Sequence, residues 1–380
     1  MTGAVKTRSR VIPLLRRWWM ILLLPLAGAL VLAARQSSAL TERLYSSGLY
    51  RILAGVIGGI TSLLPFSLVE LVICLMIVAV IFLLIKGTVR MVKVVRHRAE
   101  PVKMNWKRLG ELVLKLVCCI AFAFVILCGL NYYRPEFASF SGLTVRESSV
   151  NELVALCTEL TNRANELRKQ VTLDENGVTI LADSSFAAAR EAKAAFGRLG
   201  EQYSVLPDLP ITPKPVLNSW WMSMMQITGV FSPYTYEANV NIASPDYSIP
   251  ATMCHELAHT RGFMREDEAN FIGYLACNKS DSPDFQYSGV MLALVHSINR
   301  LYTVDNQAFE QVCEQLSEGV RLDFAYNNAY WARHEGPVAK VSNAVNDTYL
   351  RMNNQSDGVQ SYGRMVDLLL ADYRVRHNLT

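Results

Sequence analysis

A chain of 380 residues can bury a core of ordinary size, but 51% hydrophobic residues mean that part of it is not in water. The net charge of +4 is small and owes most to one short stretch, which argues against a nucleic-acid-binding protein. The apolar excess lies before residue 132 and divides the chain into a membrane region, 1–131, and a single globular domain outside the bilayer, 132–380.

Three apolar runs, about 18–34, 66–86 and 111–131, are long enough for tilted transmembrane helices. The first follows Arg8, Arg10, Arg16 and Arg17 and ends on Leu32-Ala33-Ala34, which resembles a signal-peptide cleavage site; its length and the two later runs favour an anchor. Residues 40–64 are less apolar, carry Glu42, Arg43 and Arg51, and read as an interfacial helix before a turn at Pro65. Gly55 and Gly59 share one of its faces, which permits close packing, while Gly58 beside them equally permits a break. The connection 86–110 holds Lys86, Arg90, Lys93, Arg96, Arg98, Lys103, Lys107 and Arg108. By the positive-inside rule this loop and the N-terminus are cytoplasmic, and three crossings then leave the C-terminal domain extracytoplasmic. Beside two spans, the basic loop is explained by the lipid bilayer rather than by nucleic acid.

In the outer domain, Ser149 caps a helix predicted over 150–171, with Leu153, Leu156, Leu160 and Leu167 as its apolar stripe. A turn at 174–177 precedes an alanine-rich helix, 184–199, and Pro207, Pro210, Pro213 and Pro215 make the next stretch an extended connector. Residues 229–243 alternate enough to predict two short strands. If the second strand runs along a substrate cleft, Asn239 and Asn241 contact a bound peptide; in an ordinary hairpin they face solvent.

The chemistry concentrates in Thr252-Met253-Cys254-His255-Glu256-Leu257-Ala258-His259-Thr260-Arg261-Gly262. Histidines four apart lie on one helix face, so both imidazoles can hold one zinc ion, with Glu256 turned toward the open coordination position as general base. Zinc lowers the pKa of a bound water to about 7, which suits hydrolysis of a peptide bond. Ser248 is the expected N-cap, Pro250 suits the first turn, and Gly262 ends the helix in the left-handed conformation. Cys254 points about 100° away from His255 and belongs to the core. For a third ligand the following residues offer two acids, Glu266 and Glu268. The metzincin pattern, with a ligand six residues after the second histidine, is not met, because Arg265 stands there. Glu266-x-x-Ala269-Asn270 instead resembles the Glu-x-x-Ala-Asp helix of gluzincin peptidases, which implies Glu266 as ligand and Asn270 as the residue orienting a histidine.

Beyond the motif, helices are predicted over 286–302, 306–320, 337–351 and 363–374. His296 sits in an apolar helical context and reads as a core histidine, whereas His334 and Tyr362 are candidates for stabilising an oxyanion. Cys157, Cys254, Cys277 and Cys313 fall in the outer domain, where disulfides are possible but no pairing follows from spacing.

The three spans, the motif from His255 to Phe271, and the segment Gly358-Val359-x-Ser361-Tyr362 together resemble the bacterial membrane family called domain of unknown function 3810. The resemblance covers nearly the whole chain and implies a zincin-like outer domain without supplying a substrate. The expected fold is therefore mainly α with a small β-sheet, an α+β zincin-like domain preceded by a three-helix transmembrane region. The expected function is a membrane-anchored zinc metallopeptidase acting on a peptide or protein substrate; the alternative is a zinc-stabilised receptor or scaffold without turnover.

Overall fold

The computed structural model describes residues 18–96, 105–353 and 363–379. Arg8, Arg10, Arg16, Arg17, Arg98, Lys103 and the segment 358–362 with Tyr362 lie outside the described residues. What is described is mostly helical, with two small sheets.

Among the described residues, three segments are long and apolar enough to cross a bilayer: Trp19–Gln36, Leu68–Val95 and Trp106–Leu127. Within the first, α1 is Leu23–Gln36; the others are α3 and α4. Their leucines, isoleucines and valines are largely exposed, an arrangement that is stable only where something apolar replaces water. At 28 residues, α3 is about 42 Å long and overshoots a hydrocarbon layer of about 30 Å, so its Lys86–Lys93 end projects beyond it. The third run was expected to reach residue 131, but α4 stops at Leu127, and Cys128 and Leu130 are already in the globular core.

Between α1 and α3, residues 38–62 form a helical run, α2, wound as π-helix over Thr41–Tyr50 and Ala54–Gly58. The expected interfacial helix is instead docked on the globular domain. Tyr45, Tyr50, Ala54 and Gly58 are buried, and the Tyr50 ring meets Tyr236 at 5.4 Å between centroids. The glycine-rich face receives the proline connector: a Cβ on Gly58 would stand 2.5 Å from Ile211, and one on Gly59 3.2 Å from Pro210. Close packing, not a break, is what these glycines allow.

The domain itself begins with α5, Val150–Leu167, closed at its start by a reciprocal capping box between Ser149 and Glu152. A two-residue hairpin follows, β1 Thr172–Leu173 and β2 Thr179–Ile180, then α6, Ser185–Gln202. The main sheet has three strands, β3 Lys214–Val216, β4 Gly229–Ser232 and β5 Glu237–Asn241, in the order β3-β5-β4. β5 runs parallel to β3 and antiparallel to β4, and Pro215 is tolerated because β3 is an edge. Next come α7, Ile249–Thr260, and α8, Glu266–Cys277, packed on each other and, through α7, on β5. Then follow α9 Pro283–Val304, α10 Asn306–Glu314, α11 Glu318–Ala332, α12 Pro337–Met352 and α13 Gly363–Arg376. The helix expected over 306–320 is thus two, because Ser317 caps a new one. All eight cysteines are free thiols.

The start of α3 is bound into the sheet. Ser67 donates to Asn239 Oδ1 at 2.6 Å, and the Leu68 and Val69 amides donate to the two oxygens of Glu237 at 2.8 and 3.1 Å. Glu70 in turn accepts from the backbone of Leu217 and Asn218. Asn239 and Asn241 are therefore neither cleft-lining nor solvent-facing: both are buried, and Asn241 donates to Ser223 Oγ and the Ile227 carbonyl. Their strand is central, with a neighbour on each edge.

Candidate metal centre

α7 presents His255 and His259 one turn apart, and α8 presents Glu266 at its first position. Pro250 lies in the first turn and Ser248 at the N-cap position as expected, but the Ser248 side chain makes no capping hydrogen bond; a 3-10 turn, Asp246–Ser248, runs into α7 and the Ser248 hydroxyl donates to the Pro245 carbonyl. Gly262 closes the helix at φ +84°, and a Cβ there would meet Asn131 and Arg134 at 3.0 Å. Two carbonyls near this end are held by side chains from membrane-proximal segments: Tyr50 donates to His259 O at 2.9 Å and Arg134 to Arg261 O at 2.9 Å.

The chain then reverses within a few residues and brings Glu266 back. Its carboxylate lies 3.2 Å from His255 Nε2 and 3.7 Å from His259 Nε2, and the two Nε2 atoms are 3.1 Å apart. Two ligands at about 2.05 Å from one tetrahedral ion stand about 3.3 Å from each other, so this spacing fits a shared cation. Each imidazole is fixed through its other nitrogen: Nδ1 of His255 lies 2.7 Å from Asn270 Oδ1, and Nδ1 of His259 2.7 Å from the Phe263 carbonyl. Since both acceptors are oxygens, Nδ1 carries the proton and the Nε2 lone pairs face the centre. Asn270 thus sits where the gluzincin resemblance implied.

Burial disfavours charge on His255, but the hydrogen bond and charge of Glu266 outweigh it and raise its pKa to about 9. Glu266 is held down to about 2 by the two imidazoles despite its burial. Burial lowers His259 to about 4, leaving it neutral.

Glu256 lies beside this group, only 3% exposed. Burial, with Glu266 near, pushes it up to about 8 against the opposing effect of His255. Its Oε1 is pressed on β4, where a Cβ on Gly229 would come within 2.4 Å of it, and its Oε2 has no hydrogen-bond partner among the described residues. A buried carboxylate oxygen without a donor costs stability, and the donor set asks for a ligand there.

Glu268, the competing ligand, is not with the histidines. Its carboxylate accepts from the Phe137 amide at 2.7 Å and pairs with Arg265 at 3.4 Å. His334 is placed at the end of α11, where its Nδ1 lies 2.9 Å from the Tyr330 carbonyl and its ring packs on Tyr330 and Trp331. None of these contacts joins it to the imidazole pair, and Tyr362 is outside the described residues. Three residues not singled out for the site are brought near it instead. His296 is close enough to His255 for that residue to help lower its pKa to about 4, after burial. Tyr132 and Tyr349 share a 2.9 Å hydrogen bond, and both phenols are raised first by burial and further by the charge of Glu266. No local pattern marks them, since α4's end, α9 and α12 meet only in the folded chain.

Fold and site define a mostly helical protein with three helices able to span a bilayer and a His255–His259–Glu266 group able to hold a metal ion. The chain belongs to the family described as Protein of unknown function (DUF3810), whose model matches residues 45–370. No curated protein and no solved structure matches the chain.

Proposed function

We propose that the protein is a membrane-anchored, zinc-dependent metallopeptidase whose zincin-like domain lies outside the bacterial cytoplasmic membrane. The observation that carries this reading is the convergence of His255 Nε2, His259 Nε2 and the Glu266 carboxylate beside the unsatisfied oxygen of Glu256. When bound, zinc supplies Lewis-acid polarisation of a water molecule and of the scissile carbonyl. Glu256, beside the three converging ligand atoms, would serve as general base, its carboxylate taking a proton from the attacking water and giving it to the leaving amine. Asn270 and the Phe263 carbonyl keep the imidazoles aimed, and His296, Tyr349 and Tyr132 are candidate donors to a developing oxyanion. β4 is an edge strand lying against Glu256, so an extended peptide can add to it by main-chain hydrogen bonds.

Topology follows from charge and connectivity. Lys86, Arg90, Lys93, Lys107 and Arg108 crowd the end of α3 and the start of α4, which favours a cytoplasmic location for the connection between them. α2 is docked on the C-terminal domain, so both lie on the same, opposite side. The test is metal analysis and turnover of the purified full-length protein against a peptide library. Chelation should abolish cleavage and zinc restore it, while Glu256→Gln should keep zinc and lose cleavage. Absence of bound metal at stoichiometric zinc would overturn the reading.

A further inference from the structure

A cavity of about 770 Å³ opens where α1 ends, lined by residues 34–39, the stretch Tyr132–Glu136, and Arg265. That is the size of a small-ligand site, and three of its side chains are guanidiniums. We propose that it binds the phosphate of an anionic phospholipid headgroup, held between Arg35 and Arg265.

The three arginines are not equivalent. Arg134 is spent on the protein: buried at 4% exposure, it binds both oxygens of Glu42 at 3.0 Å. Arg35 is exposed at the last turn of α1, with only the Tyr133 phenol as recorded partner, at 3.4 Å and with the guanidinium 5.4 Å from the ring centre. Among the described residues no carboxylate pairs with it. Arg265 shares its charge between buried Glu268 and Glu136, whose side chain is 70% exposed; an ion pair so open to water is weak and a phosphate can displace it. The depth is that of a headgroup. The span Trp19–Gln36 is an apolar run with exposed Leu22, Leu24, Leu26 and Leu32 below the cavity, so acyl chains can lie along it while the phosphate reaches the arginines. Arginine suits this task because its planar fork meets two phosphate oxygens at once.

The inference rests on α1 crossing the bilayer and not on the metal chemistry, and its test needs no turnover. Full-length protein in a nonionic detergent is titrated with phosphatidylglycerol, phosphatidylcholine or inorganic phosphate, and retained lipid is counted by native mass spectrometry. One phosphatidylglycerol should be retained and phosphatidylcholine should not. Arg35→Gln should weaken retention about five-fold. Glu136→Gln, which removes the competing acid, should strengthen it, and Arg108→Gln at the far end of α4 should leave it unchanged. Equal retention of phosphatidylcholine, or indifference to both Arg35→Gln and Glu136→Gln, would overturn the proposal. Displacement of the lipid by inorganic phosphate at equal concentration would assign the site to a soluble ion and likewise overturn it.

Discussion

Two of the regions that bury carboxylates treat them in opposite ways. Where α3 enters the sheet, Glu237 and Glu70 receive backbone amides on both oxygens, so the desolvation of each is offset by hydrogen bonds. Where α7 meets α8, Glu256 is as deeply buried, yet one oxygen has no donor among the described residues and the neighbouring imidazole nitrogens crowd one another at 3.1 Å. The saturated acids hold α3 to the sheet; the unsaturated one lies beside the His255–His259–Glu266 group, which could hold a metal ion. The difference separates scaffold from site without reference to any relative.

Substitution should pull the two apart. The largest effect is expected for Glu256→Gln, which keeps shape but removes the base: turnover should fall by about 10² to 10⁴, with zinc content and melting temperature unchanged or the latter raised. A melting temperature that falls as far as for a seam variant would break the comparison. Asn270→Ala should come next. Freed of its 2.7 Å partner, His255 loses its orientation, and zinc affinity should drop about 10- to 100-fold in a competition titration. Glu268→Gln, by contrast, should leave zinc affinity within a few-fold, since its carboxylate serves Phe137. Glu237→Ala leaves two amides at the start of α3 without an acceptor and should cost about 2 kcal/mol, read as a lower thermal midpoint with zinc affinity retained.

The site was legible because its pieces are close in sequence. His255 and His259 are one turn apart, Gly262 stops the helix, and the acid returns after four residues, all set by local geometry. The choice between Glu266 and Glu268 was not legible from spacing: they differ by about 200° around α8, and the packing of that helix on α7 decides which one faces the imidazoles. Asn239 and Asn241 were misplaced because β3 hides in a proline-rich run and pairs in parallel from more than twenty residues away, which leaves no short-range signal. The docking of α2 was hidden differently. Its buried side runs Thr41, Tyr45, Tyr50, Ala54, Gly58, and the π-wound turns stretch this repeat beyond a regular 3.6-residue period.

The smallest expected effect sharpens the comparison most. Tyr50 belongs to the scaffold by its burial and by its ring contact with Tyr236, yet its hydroxyl ends on the carbonyl of His259, a residue of the candidate metal centre. If the seam and the site are distinct devices, Tyr50→Phe should behave as a scaffold change. The His259 carbonyl keeps a second donor, the Gly262 amide at 2.9 Å, so the loss should be about 1 kcal/mol of stability with zinc affinity and turnover within two- to three-fold of the parent. A drop in zinc affinity approaching that of Asn270→Ala would mean instead that α2 aims His259 through its backbone. The membrane-proximal helix would then be part of the metal centre, and the division drawn between the two regions would not hold.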